Sequence, residues 1–142
     1  MKKILLGMVA FSIIASAAPF NAEVQTYVDG LKTETKKSNS GFVDFDIARG
    51  EQIFTSTHIG KKGTKIACTT CHTANLTANG KNDHTGKVID PLAPSANSAR
   101  LTNVKDLKKW LRRNFNDVYN REGSAQEKGD VLYYINSKSK GN

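Results

Sequence analysis

The chain has 142 residues, enough for one domain, and its 21 lysines and arginines outnumber 13 aspartates and glutamates, giving a net charge of +8. Residues 1–17 are predicted to be a secretory signal peptide, with two early lysines, an apolar run over 4–14 and small residues at 15–17. No later apolar run approaches the roughly 18 residues that span a bilayer. The remaining chain is about one third hydrophobic, which is low for a self-sufficient core. These features argue against a membrane-spanning or multidomain protein and indicate a small, basic, exported domain whose core is supplemented by another component.

The first predicted elements after the signal peptide are two helices. In residues 18–41 an amphipathic helix is followed by a polar stretch, 33–41, which is typical of a flexible connector. In residues 42–57 the small Gly50 shares a helix face with Ile47 and Phe54, which favours a close crossing by another helix. The stripe of the first helix consists of Val24, Tyr27, Val28 and Leu31.

The second half of the chain is predicted to contain an irregular region and two further helices. Residues 60–98 lack periodicity, and a loop of that length in a small domain is expected only where it wraps a ligand. A helix is expected over 103–114, with Asn103 as its N-cap. The last helix begins with the capping box of Ser124 and Glu127. No segment has a convincing strand pattern, so the expected fold is all-α, with an N-terminal helix against a C-terminal one.

The two cysteines, Cys68 and Cys71, directly precede His72 in a Cys-Thr-Thr-Cys-His motif. Cys-x-x-Cys-His is the attachment signature of c-type haem, in which both thiols form thioethers and the histidine ligates the iron. A structural zinc site would have to recruit further ligands such as His58 or His84. A dithiol redox pair would follow a strand, and no strand-like run precedes Cys68. We therefore expect one covalently bound haem c, a flat apolar body that also supplements the thin core.

The second axial position of this haem cannot be filled by the ligand that many c-type carriers use. That ligand is methionine, and the chain has methionine only at Met1 and Met8, inside the predicted signal peptide. The pattern leaves His58, His84, a lysine, Asn114 or an open site. Both histidines resemble solvated loop residues. Asn114 extends the apolar stripe of its helix, which indicates either a polar group with a partner or a helix C-cap, and the pattern favours neither.

Beyond the haem motif, several ordered segments resemble the sphaeroides haem protein family of oxygen-binding monohaem cytochromes c. They are 85–96 (Thr-Gly-Lys-x-Ile-x-Pro-Leu-Ala-Pro-Ser-Ala), Arg100-Leu-Thr, 109–116 (Lys-Trp-Leu-x-Arg-Asn-x-Asn) and 127–132 (Glu-Lys-Gly-Asp-Val-Leu). The resemblance covers residues 42–137. It implies a class I cytochrome c-like domain over 42–142, preceded by an additional N-terminal helix.

The resemblance also implies a ligand set and redox partners. It assigns His72 as the proximal iron ligand and Asn114 as a distal ligand that is lost on reduction, so that ferrous haem binds O2, NO or CO. It implies a dihaem cytochrome c and a membrane b-type cytochrome as partners. The family carries a cysteine after its ligand asparagine and another before the last helix. Here those places hold Phe115 and, by alignment, Gly123. The family disulfide is therefore absent, and loop 116–123 is expected to be more mobile unless Phe115 compensates by packing.

Several surrounding residues have expected roles in binding or docking. Lys87 and Arg100 are candidate contacts of the haem propionates, with a solvated surface charge as the alternative. A backbone oxygen of the 91–94 loop is a candidate acceptor for the second ring N–H of His72. Five cations of the 103–114 helix would steer an acidic redox partner or simply keep the protein soluble. These cations are Lys105, Lys108, Lys109, Arg112 and Arg113.

The expected function is periplasmic electron transfer by a monohaem cytochrome c with a gas site that opens on reduction. The alternative is an enzyme or sensor that acts on O2 or NO at the open ferrous haem. A simple carrier with two histidine ligands, using His58 or His84, is a third interpretation. Nucleic acid is not expected as a partner of an exported haem protein.

Overall fold

The structure, a computed structural model, describes residues 18–139, so the predicted signal peptide over 1–17 lies outside the described residues. Within the described part, no helix is long and apolar enough to cross a membrane. The helices are α1 (Ala22–Ser38), α2 (Ile47–Thr55), α3 (Cys68–His72), α4 (Val104–Tyr119) and α5 (Ala125–Asn136), with a 3₁₀ turn at Ser137–Ser139. Two antiparallel hairpins of two-residue strands lie between them, β1 (His58–Ile59) with β2 (Lys65–Ile66) and β3 (Gly80–Lys81) with β4 (Val88–Ile89).

Helix α1 continues through most of the segment predicted to be a flexible connector. Its side chains explain why the polar stretch stays helical. Thr35 is 1% exposed and donates a hydrogen bond from its hydroxyl to the Leu31 carbonyl at 2.8 Å. Lys36 and Lys37 lie in the last turn, where cations interact favourably with the helix dipole. The connector prediction is therefore wrong up to Ser38.

The crossing of α2 and α5 forms the centre of the helical packing. Gly50 lies directly against the backbone of Asp130, and a Cβ at this glycine would overlap the Asp130 carbonyl oxygen. The Asp130 side chain is buried and accepts hydrogen bonds from the Asp46 N–H and from Nε and Nη2 of Arg49, all at 2.8–2.9 Å. The predicted close crossing at Gly50 is confirmed, and α1 also packs against α5.

Helix α4 extends beyond the end that the sequence predicted at Asn114. Asn103 caps its start by accepting a hydrogen bond from the Asp106 N–H, as expected. Phe115 and Val118, each 5% exposed, continue the buried face, and the helix ends where Asn120 adopts a left-handed conformation at φ 53°. Asn114 is therefore inside the helix, and its interpretation as a C-cap is wrong.

The region 60–98 is largely irregular, as predicted, but it contains β2, β3, α3 and β4. Strands of two residues are too short to produce an alternating sequence pattern, so the sequence did not reveal them. The expected capping box of α5 is confirmed, with Ser124 and Glu127 each bonded to the backbone of the other.

Candidate functional site

The short helix α3 presents Cys68, Cys71 and His72 on a single turn. The hydroxyl of Thr70 accepts a hydrogen bond from the Ala67 N–H at 3.0 Å and secures the start of the helix. Neither cysteine forms a disulfide. The motif therefore offers two free thiols and an imidazole at the spacing that haem attachment requires.

Burial sets the protonation states of this motif. It raises the pKa of the Cys68 thiol to about 12, so the thiol stays protonated until it reacts. Burial, together with the positive charge of Arg100, lowers the pKa of His72 to about 4. His72 is therefore neutral near pH 7, which is the form that ligates a metal. Among residues 18–139 no three histidines, cysteines or acids cluster to hold a metal ion, so the zinc alternative gains no support there.

Side chains and backbone from other elements hold the motif in place. The Phe54 ring of α2 is 2% exposed, and its centroid lies 6.1 Å from that of His72 and 5.5 Å from that of Tyr134. On another side, Gly80 of β3 lies so close to Cys71 that a Cβ would overlap the Cys71 carbonyl oxygen. Sequence reasoning missed Gly80, because a glycine in a polar loop carries no signal for a tertiary contact.

His58 differs from the expectation of a solvated loop residue. Its backbone pairs with Ile66 in the first hairpin, and its ring stacks on Tyr119 with a centroid separation of 4.0 Å. Its Nε2 is buried and has no hydrogen-bond partner in the described part of the chain. Tyr119 was not predicted as a site residue, and its hydroxyl donates to the Ile53 carbonyl at 2.7 Å. His84 is exposed, as expected.

Asn114 lies half-buried on α4, next to the buried side chains of Leu111 and Phe115. Its amide makes no hydrogen bond to any of residues 18–139 but is not enclosed, because among those residues only His58 Nε2 is a buried polar side-chain atom without a partner. The two free thiols and the neutral imidazole on α3 and the amide on α4 have the donor chemistry of a haem c with two protein ligands, and the ligation itself stays a prediction.

Phe115 and Gly123 contact each other directly. A Cβ at Gly123 would lie 2.7 Å from Cγ and Cδ2 of the Phe115 ring. The two positions that correspond to cysteines in the family that the sequence resembles are therefore neighbours here. The phenyl ring of Phe115 fills the space between them. This contact supports the expectation that Phe115 compensates by packing, and the mobility of loop 116–123 stays a prediction.

The two candidate propionate contacts have different surroundings. Arg100 is half-buried and donates from Nε to the Pro91 carbonyl at 2.9 Å and from Nη2 to the Asp90 carbonyl at 2.8 Å. Lys87 is exposed in the turn between β3 and β4, and its ammonium has no ion-pair partner among residues 18–139. Their contact with propionates stays a prediction.

The cations of α4 all face solvent. Trp110 lies among them and is 46% exposed, with Lys109 Nζ 4.9 Å and Arg113 Cζ 5.1 Å from its ring centroid. The helix therefore presents a basic outer surface with an aromatic centre. The exposed cations are Lys105, Lys108, Lys109, Arg112 and Arg113.

Comparison with known proteins gives matches along most of the chain. A family model described as "Domain of unknown function (DUF1924)" matches residues 40–135. The cytochrome c-type protein SHP of Cereibacter sphaeroides is 44% identical over 90 residues, which are 63% of this chain and 69% of that protein. Cytochrome c'' of Methylophilus methylotrophus is 31% identical over 132 residues, which are 93% of this chain and 90% of that protein.

Solved structures of both relatives superpose on this chain. Oxidized SHP, described as an oxygen-binding cytochrome c, gives a TM-score of 0.68 at 37% identity and covers 79% of this chain and 94% of its own. The solution structure of Methylophilus methylotrophus cytochrome c'', which concerns its haem-ligand detachment, gives 0.72 at 28% identity and covers 83% and 95%. These matches confirm the all-α, class I cytochrome c-like fold expected from the sequence.

Proposed function

Because this c-type cytochrome belongs to the sphaeroides haem protein family, we propose that it is a periplasmic monohaem electron carrier whose distal iron ligand, Asn114, leaves on reduction. The observation that carries the proposal is the position of Asn114 inside α4, half-buried between Leu111 and Phe115, with an amide that makes no hydrogen bond to residues 18–139. It stands in a chain whose only methionines are Met1 and Met8. Asn114 thus offers an amide that is available as a ligand, in a protein without the usual second ligand.

Cys68 and Cys71 would hold one haem c through thioether bonds, and His72 would be the proximal iron ligand. When bound, the haem supplies one-electron exchange and an iron that takes up O2, NO or CO. Burial keeps the His72 imidazole neutral, so no proton has to leave before it coordinates. Lys87 and the free Nη1 of Arg100 are the candidates for the propionates.

The chemistry of Asn114 explains a ligand that responds to reduction. A side-chain amide is a weak, hard donor, which suits ferric iron better than ferrous iron. The Asn114 amide would therefore be released more readily from ferrous iron, which would leave a coordination position for a small gas. Two descriptions of relatives support this: SHP is an oxygen-binding cytochrome c, and cytochrome c'' undergoes haem-ligand detachment.

The partners and location follow from charge and from the N-terminal segment. The basic surface of α4 suits an acidic electron-transfer protein, and charge complementarity accelerates such encounters. The proposed partners are a dihaem cytochrome c and a membrane b-type cytochrome, and no nucleic acid is involved. The signal peptide proposed for residues 1–17 directs the protein to the periplasm.

Absorption spectra of the haem-loaded protein in both oxidation states, with the EPR spectrum of the ferric protein, test this proposal. We expect a low-spin ferric and a high-spin ferrous spectrum, because the amide binds only the oxidised iron. A low-spin ferrous spectrum without added gas would contradict the proposal and favour two histidine ligands. Rapid mixing of the reduced, O2-equilibrated protein with NO, in the presence of an electron donor that returns ferric iron to the ferrous state, separates a carrier from an enzyme, since only an enzyme consumes NO through many turnovers.

A further inference from the structure

Arg100 closes a loop that lies beside the haem motif. Its guanidinium donates hydrogen bonds to two consecutive carbonyl oxygens, those of Asp90 and Pro91, at 2.8 and 2.9 Å. The Asn97 amide adds a longer hydrogen bond to the Pro91 carbonyl at 3.5 Å. Residues 90–100 therefore form a loop whose two ends are joined by hydrogen bonds from the Arg100 side chain.

The same loop is attached to the chain segment that leaves His72. The Ala93 N–H donates to the Leu76 carbonyl at 2.8 Å, and both residues are at most 3% exposed. Ser95 N–H also donates to the Lys138 carbonyl at 3.3 Å. The Ala93 hydrogen bond therefore ties the 90–100 loop to Leu76, four residues after His72.

The choice of arginine matters for this geometry. A guanidinium is a rigid, planar fork, so Nε and Nη2 reach two neighbouring acceptors at once, whereas a lysine ammonium is a point charge on a flexible stem. The fork of Arg100 therefore fixes both carbonyls at once, which a lysine could not do.

We propose that Arg100 is a positioning residue for the proximal ligand: it clamps the Asp90–Pro91 carbonyls and thereby fixes the orientation of the His72 imidazole. Its fixed positive charge also favours the reduced iron, since ferric iron carries one more positive charge. The proposal rests on the proposed function only in taking His72 as an iron ligand. It differs from a propionate contact, which would use the charge of Arg100 but not its fork.

Two substitutions in the haem-loaded protein separate the clamp from the charge. Arg100→Lys keeps the charge and loses the fork, whereas Arg100→Gln loses both. The matched control is Lys62→Gln, which removes the same charge from an exposed turn. The measurements are the reduction potential, the ferric EPR g-values, the NMR shifts of the His72 ring protons, and thermal unfolding to verify that each variant folds.

We expect both Arg100 variants to shift the ferric EPR g-values and the NMR signals of the His72 ring protons, and only Arg100→Gln to lower the reduction potential strongly. Lys62→Gln should leave the ring signals unchanged. Unchanged ring signals in Arg100→Lys would overturn the proposal, because a charge alone would then suffice. Unchanged signals in both variants would overturn it as well. If the wild-type protein takes up no haem, the proposed function itself fails, and this outcome is distinct from either result.

Discussion

Replacing Gly123 with alanine should destabilise the haem-loaded protein by about 1–3 kcal/mol, the usual cost of overpacking a filled core. The new Cβ would lie 2.7 Å from Cγ and Cδ2 of Phe115 and 2.9 Å from Cδ1. Phe115 is 5% exposed and directly follows Asn114 on α4, so its ring cannot retreat without a movement of the helix. Gly123 does not have a positive φ, so the backbone accepts alanine and the cost is steric.

The assay is equilibrium unfolding in denaturant, from which the free energy of unfolding is obtained at an unchanged m-value. The matched control is Gly30→Ala, because Gly30 is an exposed position of α1 with no atom within 4 Å of the added Cβ. Alanine is favoured over glycine in a helix by roughly 0.5–1 kcal/mol, so this control should gain stability.

A double-mutant cycle locates the effect in the contact itself. Removing the ring with Phe115→Ala should make Gly123→Ala less costly, because Cγ, Cδ1 and Cδ2 of residue 115 are then absent. Equal stability of Gly123→Ala and wild type would refute the reasoning. So would additive effects of the two substitutions, since residues in contact are expected to couple.

Two further predictions concern acid stability and haem attachment. Hydrogen bonds from the Arg121 guanidinium hold the pKa of the Glu127 carboxyl below its ordinary value of 4.5. A lowered carboxyl pKa contributes stability that is present above pH 4.5 and is lost as the pH falls below that value. Below pH 4.5 the free energy of unfolding of Glu127→Gln should therefore fall less than that of the wild type. An equal fall in both proteins would contradict this assignment. Gly80→Ala should lower the haem content per chain in a pyridine haemochrome assay, because the added Cβ would displace the Cys71 backbone. The control Gly41→Ala, where the added Cβ meets only one atom at 3.6 Å, should keep its haem content. Full haem content in Gly80→Ala would show that this contact is not needed for haem attachment.

The parts of the fold that could be predicted depend on local chemistry. The caps at Asn103 and Ser124 were predictable because their partners lie within one helical turn. The crossing at Gly50 was predictable because a small residue on an apolar stripe has few other uses. The extension of α1 was missed because a polar run was taken to end a helix, although Thr35 is buried by contacts that come from elsewhere in the fold.

The same division applies to the candidate site. The haem motif is recognisable because its chemistry lies within five consecutive residues. The contact of Tyr119 with Ile53 joins positions 66 residues apart, and no local pattern encodes it. The hydrogen bonds from Arg100 to two backbone carbonyls could not be predicted from the sequence either, because the acceptors are main-chain atoms that every residue carries.

The central claim is that Asn114 ligates the oxidised iron, and the ferric EPR spectrum of Asn114→Ala tests it most directly. His58→Phe and His84→Gln serve as controls; the first keeps an aromatic ring against Tyr119. We predict that Asn114→Ala becomes high-spin in the ferric state and still binds CO when reduced, while both histidine variants remain low-spin. A ferric Asn114→Ala protein that stays low-spin, or a histidine variant that loses its low-spin signal, would contradict the assignment.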